Sequence, residues 1–200
     1  MLSAIITEIT GLSMMEYLRP RLWEPLGIQN VFWEACPQGI TKGGWGLFLR
    51  PEDAARLGQL YLDKGRYKDR QLVPEEWIEE SVKKQTDTGD ESQPYGYGYQ
   101  VWPGKREGSF NFNGMLGQNV LVYPDLQMVV VTNAGSSELF QDGSIMDTVN
   151  RYMCALQVPS GSLPPNVRAR QRLEAVIHRM ENPAYKGRQT AAGGLSLIHI

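Results

Sequence analysis

The sequence predicts an α+β fold in which helices pack on an antiparallel sheet, and three observations predict it. The first 84 residues carry apolar side chains at helical spacing. From Tyr97 the period drops to two, and two β-branched runs follow that are separated only by Pro124-Asp125-Leu126-Gln127. Helical spacing then returns at Ile145. So short a turn allows an antiparallel hairpin and not a parallel crossover. Helices segregated from a meander define the α+β layout.

The elements follow in order. Leu2, Ile5, Ile6 and Ile9 predict a helix that Gly11 ends as a C′ glycine. Ser13-x-x-Glu16 is a capping box that opens a second helix through Met15, Leu18 and Leu22, which Pro20 should kink or shorten. Residues 36–48 are glycine-rich around Trp45. Pro51 suits a first helical position, with Glu52 and Asp53 at the positive helix end, Leu57, Leu60 and Tyr61 on the buried face and Gly65 as the stop. A further helix is expected over Pro74 to Lys84, burying Trp77, Ile78 and Val82, before a polar loop from Thr86 to Pro94. Tyr97, Tyr99 and Val101 alternate as a strand would. Phe110 to Asn113, Asn119 to Tyr123 and Met128 to Thr132 complete the meander. Ile145, Val149, Tyr152, Met153 and Leu156 form the closing helix.

Composition sets the outer bounds. The chain is 42% apolar and 21% charged, which is enough for a real core. A net charge of −2 argues against a broad nucleic-acid-binding surface, and no apolar run approaches the ~20 residues of a membrane segment. Cys36 and Cys154 cannot define a disulfide framework and are expected as buried free thiols. His178 and His199 are the only histidines, which argues against a His-based zinc site and a Ser-His-Asp triad. Neither a metal nor a cofactor is expected. Compartment and oligomeric state are not legible.

Residues 1–157 are expected to form the main domain. Residues 158–166 form a linker by composition, and residues 167–194 start an appended segment with a narrow stripe at Leu173, Val176 and Ile177. The last residues, 195–200, match nothing around them; they look like a translated sequencing adapter and are set aside.

Three stretches carry a resemblance. LSAIITEITG at 2–11 with YLRPRLWEPLGI at 17–28 is similar to the helical segment that follows the tyrosine motif of β-lactamase-like serine hydrolases. GGWGL at 43–47 with PEDAARLGQL at 51–60 resembles that family's Gly-Gly loop and the next helix. YGYQVW at 97–102 and NGMLGQ at 113–118 resemble its C-terminal strands. The resemblance implies a β-lactamase/transpeptidase-like fold and an acyl-enzyme hydrolase that acts on a small-molecule ester, amide or β-lactam. The penicillin-binding proteins share this pattern.

The family's Ser-x-x-Lys nucleophile motif would have to precede these stretches, and none does. The expectation is therefore a C-terminal part that is inactive alone. Ser81-Val82-Lys83-Lys84 spells the motif out of order and reads as a solvated helix end. Phe112-Asn113-Gly114 stands where the family has a Lys or His, a Thr or Ser, and Gly. Loss of the cation argues against penicillin-like acids and leaves neutral acyl substrates open. By the resemblance, Gly114 lets the strand approach substrate, and the Met115 backbone N–H is one oxyanion-hole donor, worth about 3 kcal/mol in the barrier. By the same resemblance Phe112, Asn113, Gly117 and Gln118 are candidate substrate-binding residues, and Trp45, Tyr97 and Trp102 are candidate pocket aromatics. Two other readings remain open: a catalytically dead relative that binds peptides or cell-wall stems, and a non-enzymatic α+β interaction domain.

Overall fold

The computed structural model describes residues 1–89, 95–135, 143–158, 160–162, 164–181 and 198–199. It divides into two compact units, Met1–Leu156 with Ser196–Ile200, and Gln157–Leu195.

In the first unit, α1 (Leu2–Thr10) ends where Gly11 turns left-handed and its N–H donates to the Thr7 carbonyl. Its apolar stripe does not enter the core: Leu2, Ile5 and Ile9 are exposed, and Ser3 is the buried residue. The capping box forms as expected. The Glu16 N–H donates to Ser13 Oγ, and the Ser13 N–H donates to Glu16 Oε2 at 2.9 Å. Helix α2 (Met14–Leu18) runs into a single π-helical turn, Arg19–Trp23, that carries Pro20 near its start. A proline there widens the turn, since it removes one backbone donor without stopping the chain.

The glycine-rich stretch is bracketed by a hairpin that the sequence did not reveal, β1 (Phe32–Trp33) and β2 (Leu47–Leu49). Helix α3 (Pro51–Leu62) opens on Pro51 and carries Glu52 and Asp53 in its first turn. Asp53 is fully buried as a charge, and Arg50 (2.9 Å) and Arg56 (2.7 Å) both pair with it. Arg56 also donates to the Gly27 carbonyl, so this ion group ties the start of α3 to the preceding turn. A second short hairpin, β3 (Arg66–Tyr67) with β4 (Arg70–Gln71), follows.

Helix α4 (Glu75–Val82) buries Ile78 but leaves Trp77 half exposed, stacked on Tyr99 at 5.5 Å. That corrects the expectation of a buried Trp77: a neighbouring ring, not the core, covers its face. The alternation at 97–101 does not form a strand either. Tyr97 makes one isolated bridge to Thr86, and Gln100 takes a positive φ of 61° that breaks the extended run. Only β5 (Trp102–Pro103) is paired. The meander proper is β6 (Phe110–Gly114), β7 (Gln118–Tyr123) and β8 (Met128–Thr132), and the four strands lie in the order β5-β6-β7-β8, all antiparallel. The turn Pro124–Leu126 closes on Gln127 at φ 50°. Helix α5 (Gly143–Ala155) is joined to the sheet through Arg106. That guanidinium donates to the Met153 and Leu156 carbonyls and pairs with Asp125, and the Tyr123 hydroxyl meets Asn150. Ile198–His199 forms β9 and pairs with β2, where the sequence reading set these residues aside.

Two buried clusters meet at α3. Ala54 and Leu62 face Val101, Phe110, Val120 and Val122 of the sheet side. Leu60 faces Trp23, Leu26, Ile28, Leu47 and Leu49. The crossing over the sheet is close because residue 58 is glycine: a Cβ there would lie 2.6 Å from Val129 Cγ1 and 2.8 Å from Val120 Cγ1. Neither cysteine is buried, contrary to expectation; Cys36 is half-buried in the β1–β2 connection and Cys154 is exposed on α5, and both are free thiols. The second unit carries α6 (Val167–Glu181), which Asn166 caps by accepting from the Ala169 N–H.

Candidate active site

The turn between β6 and β7, with the residues that pair at its base, carries four of the nine residues singled out by sequence: Gly114, Met115, Gly117 and Gln118. Gly114 and Gln118 pair across its base. Between them, Met115–Gly117 makes one 3₁₀ turn with two left-handed residues, Leu116 at φ 66° and Gly117 at φ 88°. The conformational need for glycine therefore falls at Gly117. Gly114 is buried but sits at φ −99°, ordinary extended backbone. Met115 is 38% exposed at the apex.

Side chains behind the turn hold it in this shape. Gln118 is buried, and its amide donates to the Met115 carbonyl at 3.2 Å. The Thr132 hydroxyl donates to the Gly117 carbonyl at 2.9 Å and accepts from Asn119 Nδ2 at 3.0 Å. Sheet register builds this contact. Asn113, Asn119 and Thr132 are direct neighbours across β6, β7 and β8 and so share one face. Asn111 lies on that face two residues along, opposite Trp102, whose carbonyl accepts from its amide at 3.4 Å. Asn111 and Asn119 are both buried, and the Oδ1 of each meets no hydrogen-bond partner among the described residues. Sequence reasoning missed Asn111, Asn119 and Thr132. A signal existed, because asparagine is depleted in strands and these strands hold three.

The aromatic candidates separate. Tyr97 and Trp102 come together with ring centroids 4.4 Å apart, next to Asn111 on the β5 edge. Burial pushes the Tyr97 hydroxyl up from its ordinary range. Phe112 occupies the opposite sheet face from Asn113. Its ring meets Tyr61 of α3 edge-on at 4.8 Å and packs against the sheet-side core. Trp45 belongs to the β1–β2 connection, half exposed, with Lys42 Nζ 5.6 Å from its ring.

The out-of-order Ser81 motif resolves as structure. Ser81 is buried rather than solvated, its hydroxyl donates to the Ile78 carbonyl, and it also bonds the Tyr61 hydroxyl, whose proton is held more tightly mainly because the ring is buried. Lys84 lies past the helix end, paired with Asp87. Among the described residues no group of three His, Cys, Asp or Glu side chains could hold a metal ion.

Comparison with known proteins places this geometry in a family. A 6-aminohexanoate-dimer hydrolase of Paenarthrobacter ureafaciens is 31% identical over 141 residues, which are 65% of this chain and 36% of that protein. A Bacillus anthracis structure assigned as a candidate 6-aminohexanoate-dimer hydrolase superposes with a TM-score of 0.64 at 27% identity, over 78% of this chain and 43% of that one. Fold likeness extends to a penicillin-binding protein homologue of Pyrococcus abyssi (18% identity, TM-score 0.53, 76% of this chain and 40% of that one). It extends also to the simvastatin synthase of Aspergillus terreus (14% identity, TM-score 0.56, 75% and 50%). The chain thus spans well under two thirds of the length of these relatives. The family model described as Beta-lactamase matches residues 1–153, about three quarters of the sequence, and this shows that the chain belongs to the β-lactamase family.

Proposed function

We propose that this chain supplies the sheet-side wall of the acyl-transfer site of a serine hydrolase that cleaves small amides or esters through an acyl-enzyme intermediate. The Met115 N–H would stabilise the developing oxyanion. The nucleophilic serine and its lysine base would come from the part of the relatives' length that these 200 residues do not span. One observation carries the reading: the strained Met115–Gly117 turn is held from behind by Gln118 and Thr132. Left-handed non-glycine backbone persists only where surrounding bonds hold it, and such strain clusters at functional sites. A pre-set donor needs no reorganisation when charge develops.

Amides are the favoured substrate class, because the relative that is 31% identical is named for hydrolysis of a 6-aminohexanoate dimer. Phe112 supports uncharged acyl groups over penicillin-like acids. A phenyl ring packed on Tyr61 offers no cation to a substrate carboxylate.

The test uses these residues alone and joined to an upstream segment that carries Ser-x-x-Lys. Residues 1–200 alone should hydrolyse no p-nitrophenyl ester and take up no fluorophosphonate label. The longer protein should label on the upstream serine. In it, Met115→Pro removes the donor and should lower kcat about 10²–10³-fold. Serine-dependent turnover by residues 1–200 alone, or full activity in Met115→Pro, would refute the proposal. Labelling without turnover would favour a relative that only binds acyl compounds.

A further inference from the structure

The helix of the second unit carries an interaction surface that the hydrolase reading does not use. Ala169, Leu173, Val176 and Met180 recur at spacings of four, three and four, with Ile177 beside them. At 3.6 residues per turn they form a stripe about 100° wide. All the larger members face solvent: Leu173 is 59% exposed, Ile177 44% and Met180 75%. A helix of 15 residues is marginal in water without a covered apolar face. Its local signals are nevertheless strong. Asn166 caps the start, Arg170 pairs with Glu174 one turn on at 2.9 Å, and His178 and Arg179 sit at the negative end.

The charges identify the partner. Arg168, Arg170, Arg172 and Arg179 outnumber Glu174 and Glu181. Arg170 lies on one shoulder of the stripe and Arg172 on the other, each about 75–85° from its centre, with Arg179 behind Arg172. Arg172 and Arg179 can lay their stems along an apolar boundary and set their guanidinium groups on anions, while Arg170 on the other shoulder is paired with Glu174. A second copy is a poor fit. In an antiparallel pair the flanking positions would set arginine against arginine, and in a parallel pair Arg172 would find Ile177 instead of a carboxylate. We infer that α6 is an interfacial helix that docks on an anionic phospholipid surface, with its stripe in the acyl boundary and its arginines among the phosphates. It lies on the bilayer and does not span it, since no described helix is long and apolar enough to cross a membrane. The segment 158–166, with Pro164 and Pro165 before the cap, would act as the tether.

The experiment is vesicle co-sedimentation of the full 200-residue chain. One set of vesicles is pure phosphatidylcholine; the other contains 30% phosphatidylglycerol. The chain should bind the anionic vesicles, release from them at 0.5 M NaCl, and ignore the neutral ones. Arg172→Glu with Arg179→Glu should weaken binding at least about tenfold, and Leu173→Asp should abolish it. These side chains are exposed, so near-UV circular dichroism of the first unit should not change. Absence of binding, or equal binding to both vesicle types, would overturn the inference. So would a dimer that Leu173→Asp dissociates, because the stripe would then belong to a second copy. None of these results bears on the acyl-transfer proposal.

Discussion

Replacing Thr132 by Val tests whether the turn at Met115 is held from behind. The two side chains have nearly the same shape, so the change removes the hydroxyl and little else. Two bonds go: the one given to the Gly117 carbonyl at 2.9 Å and the one taken from Asn119 at 3.0 Å. The first is worth about 1 kcal/mol net. The second leaves the Asn119 amide without this partner at a site only 1% exposed, a cost of about 1–3 kcal/mol. The sum is about 2–4 kcal/mol, or very roughly 5–15 °C in Tm for a domain of this size. Urea unfolding followed by tryptophan fluorescence measures it. Asn119→Leu combined with Thr132→Val removes both partners together and should cost less than Thr132→Val alone. Hydrogen exchange should accelerate at Leu116 and Gly117 in the single variant. A Thr132→Val protein within 0.5 kcal/mol of the parent, or a strictly additive double variant, would refute the reasoning.

Two other expectations are independent of that turn. Gly58→Ala should destabilise by about 1–2 kcal/mol although alanine favours helix, because its Cβ would press on Val129 and Val120; Gly58→Leu should fail to give a cooperative unfolding transition. Burial pushes the Tyr123 hydroxyl up to about 12, above the ordinary tyrosine value near 10, so the unfolded chain loses this proton first. The stability it contributes is complete below pH 10 and drains away as pH rises through about 12, which absorbance at 295 nm and urea midpoints can follow together. Titration of all nine tyrosines together near pH 10 in the folded protein would contradict this.

Local signals were legible where local physics decides the outcome. The Ser13–Glu16 box, Pro51 at the head of α3 and Gly11 beyond α1 need only neighbours in the chain, and each stands where the sequence placed it. The β7 and β8 runs were legible because β-branched residues cluster on either side of a short turn, and β6 was legible as a short extended stretch before them. The alternation at 97–101 misled, because Gln100 turns left-handed and Gly98 packs against the Ser81 carbonyl, where a Cβ would lie 2.4 Å away. Trp77 misled for a related reason. Helical phase says which side a ring points to and not whether a neighbour such as Tyr99 will meet it.

The sequence by itself determined the α+β class and the family likeness, and it drew attention to Gly114 between two strands, since propensity, caps and motifs are properties of adjacent residues. Only the tertiary structure decided that Asn119 and Thr132 stand behind that turn, that Phe112 faces Tyr61, and that the need for a left-handed glycine lies at Gly117. Those facts depend on strand register. A slip of one residue would turn every side chain to the other face of the sheet, and the final choice rests on the packing of α3 over Val120 and Val129.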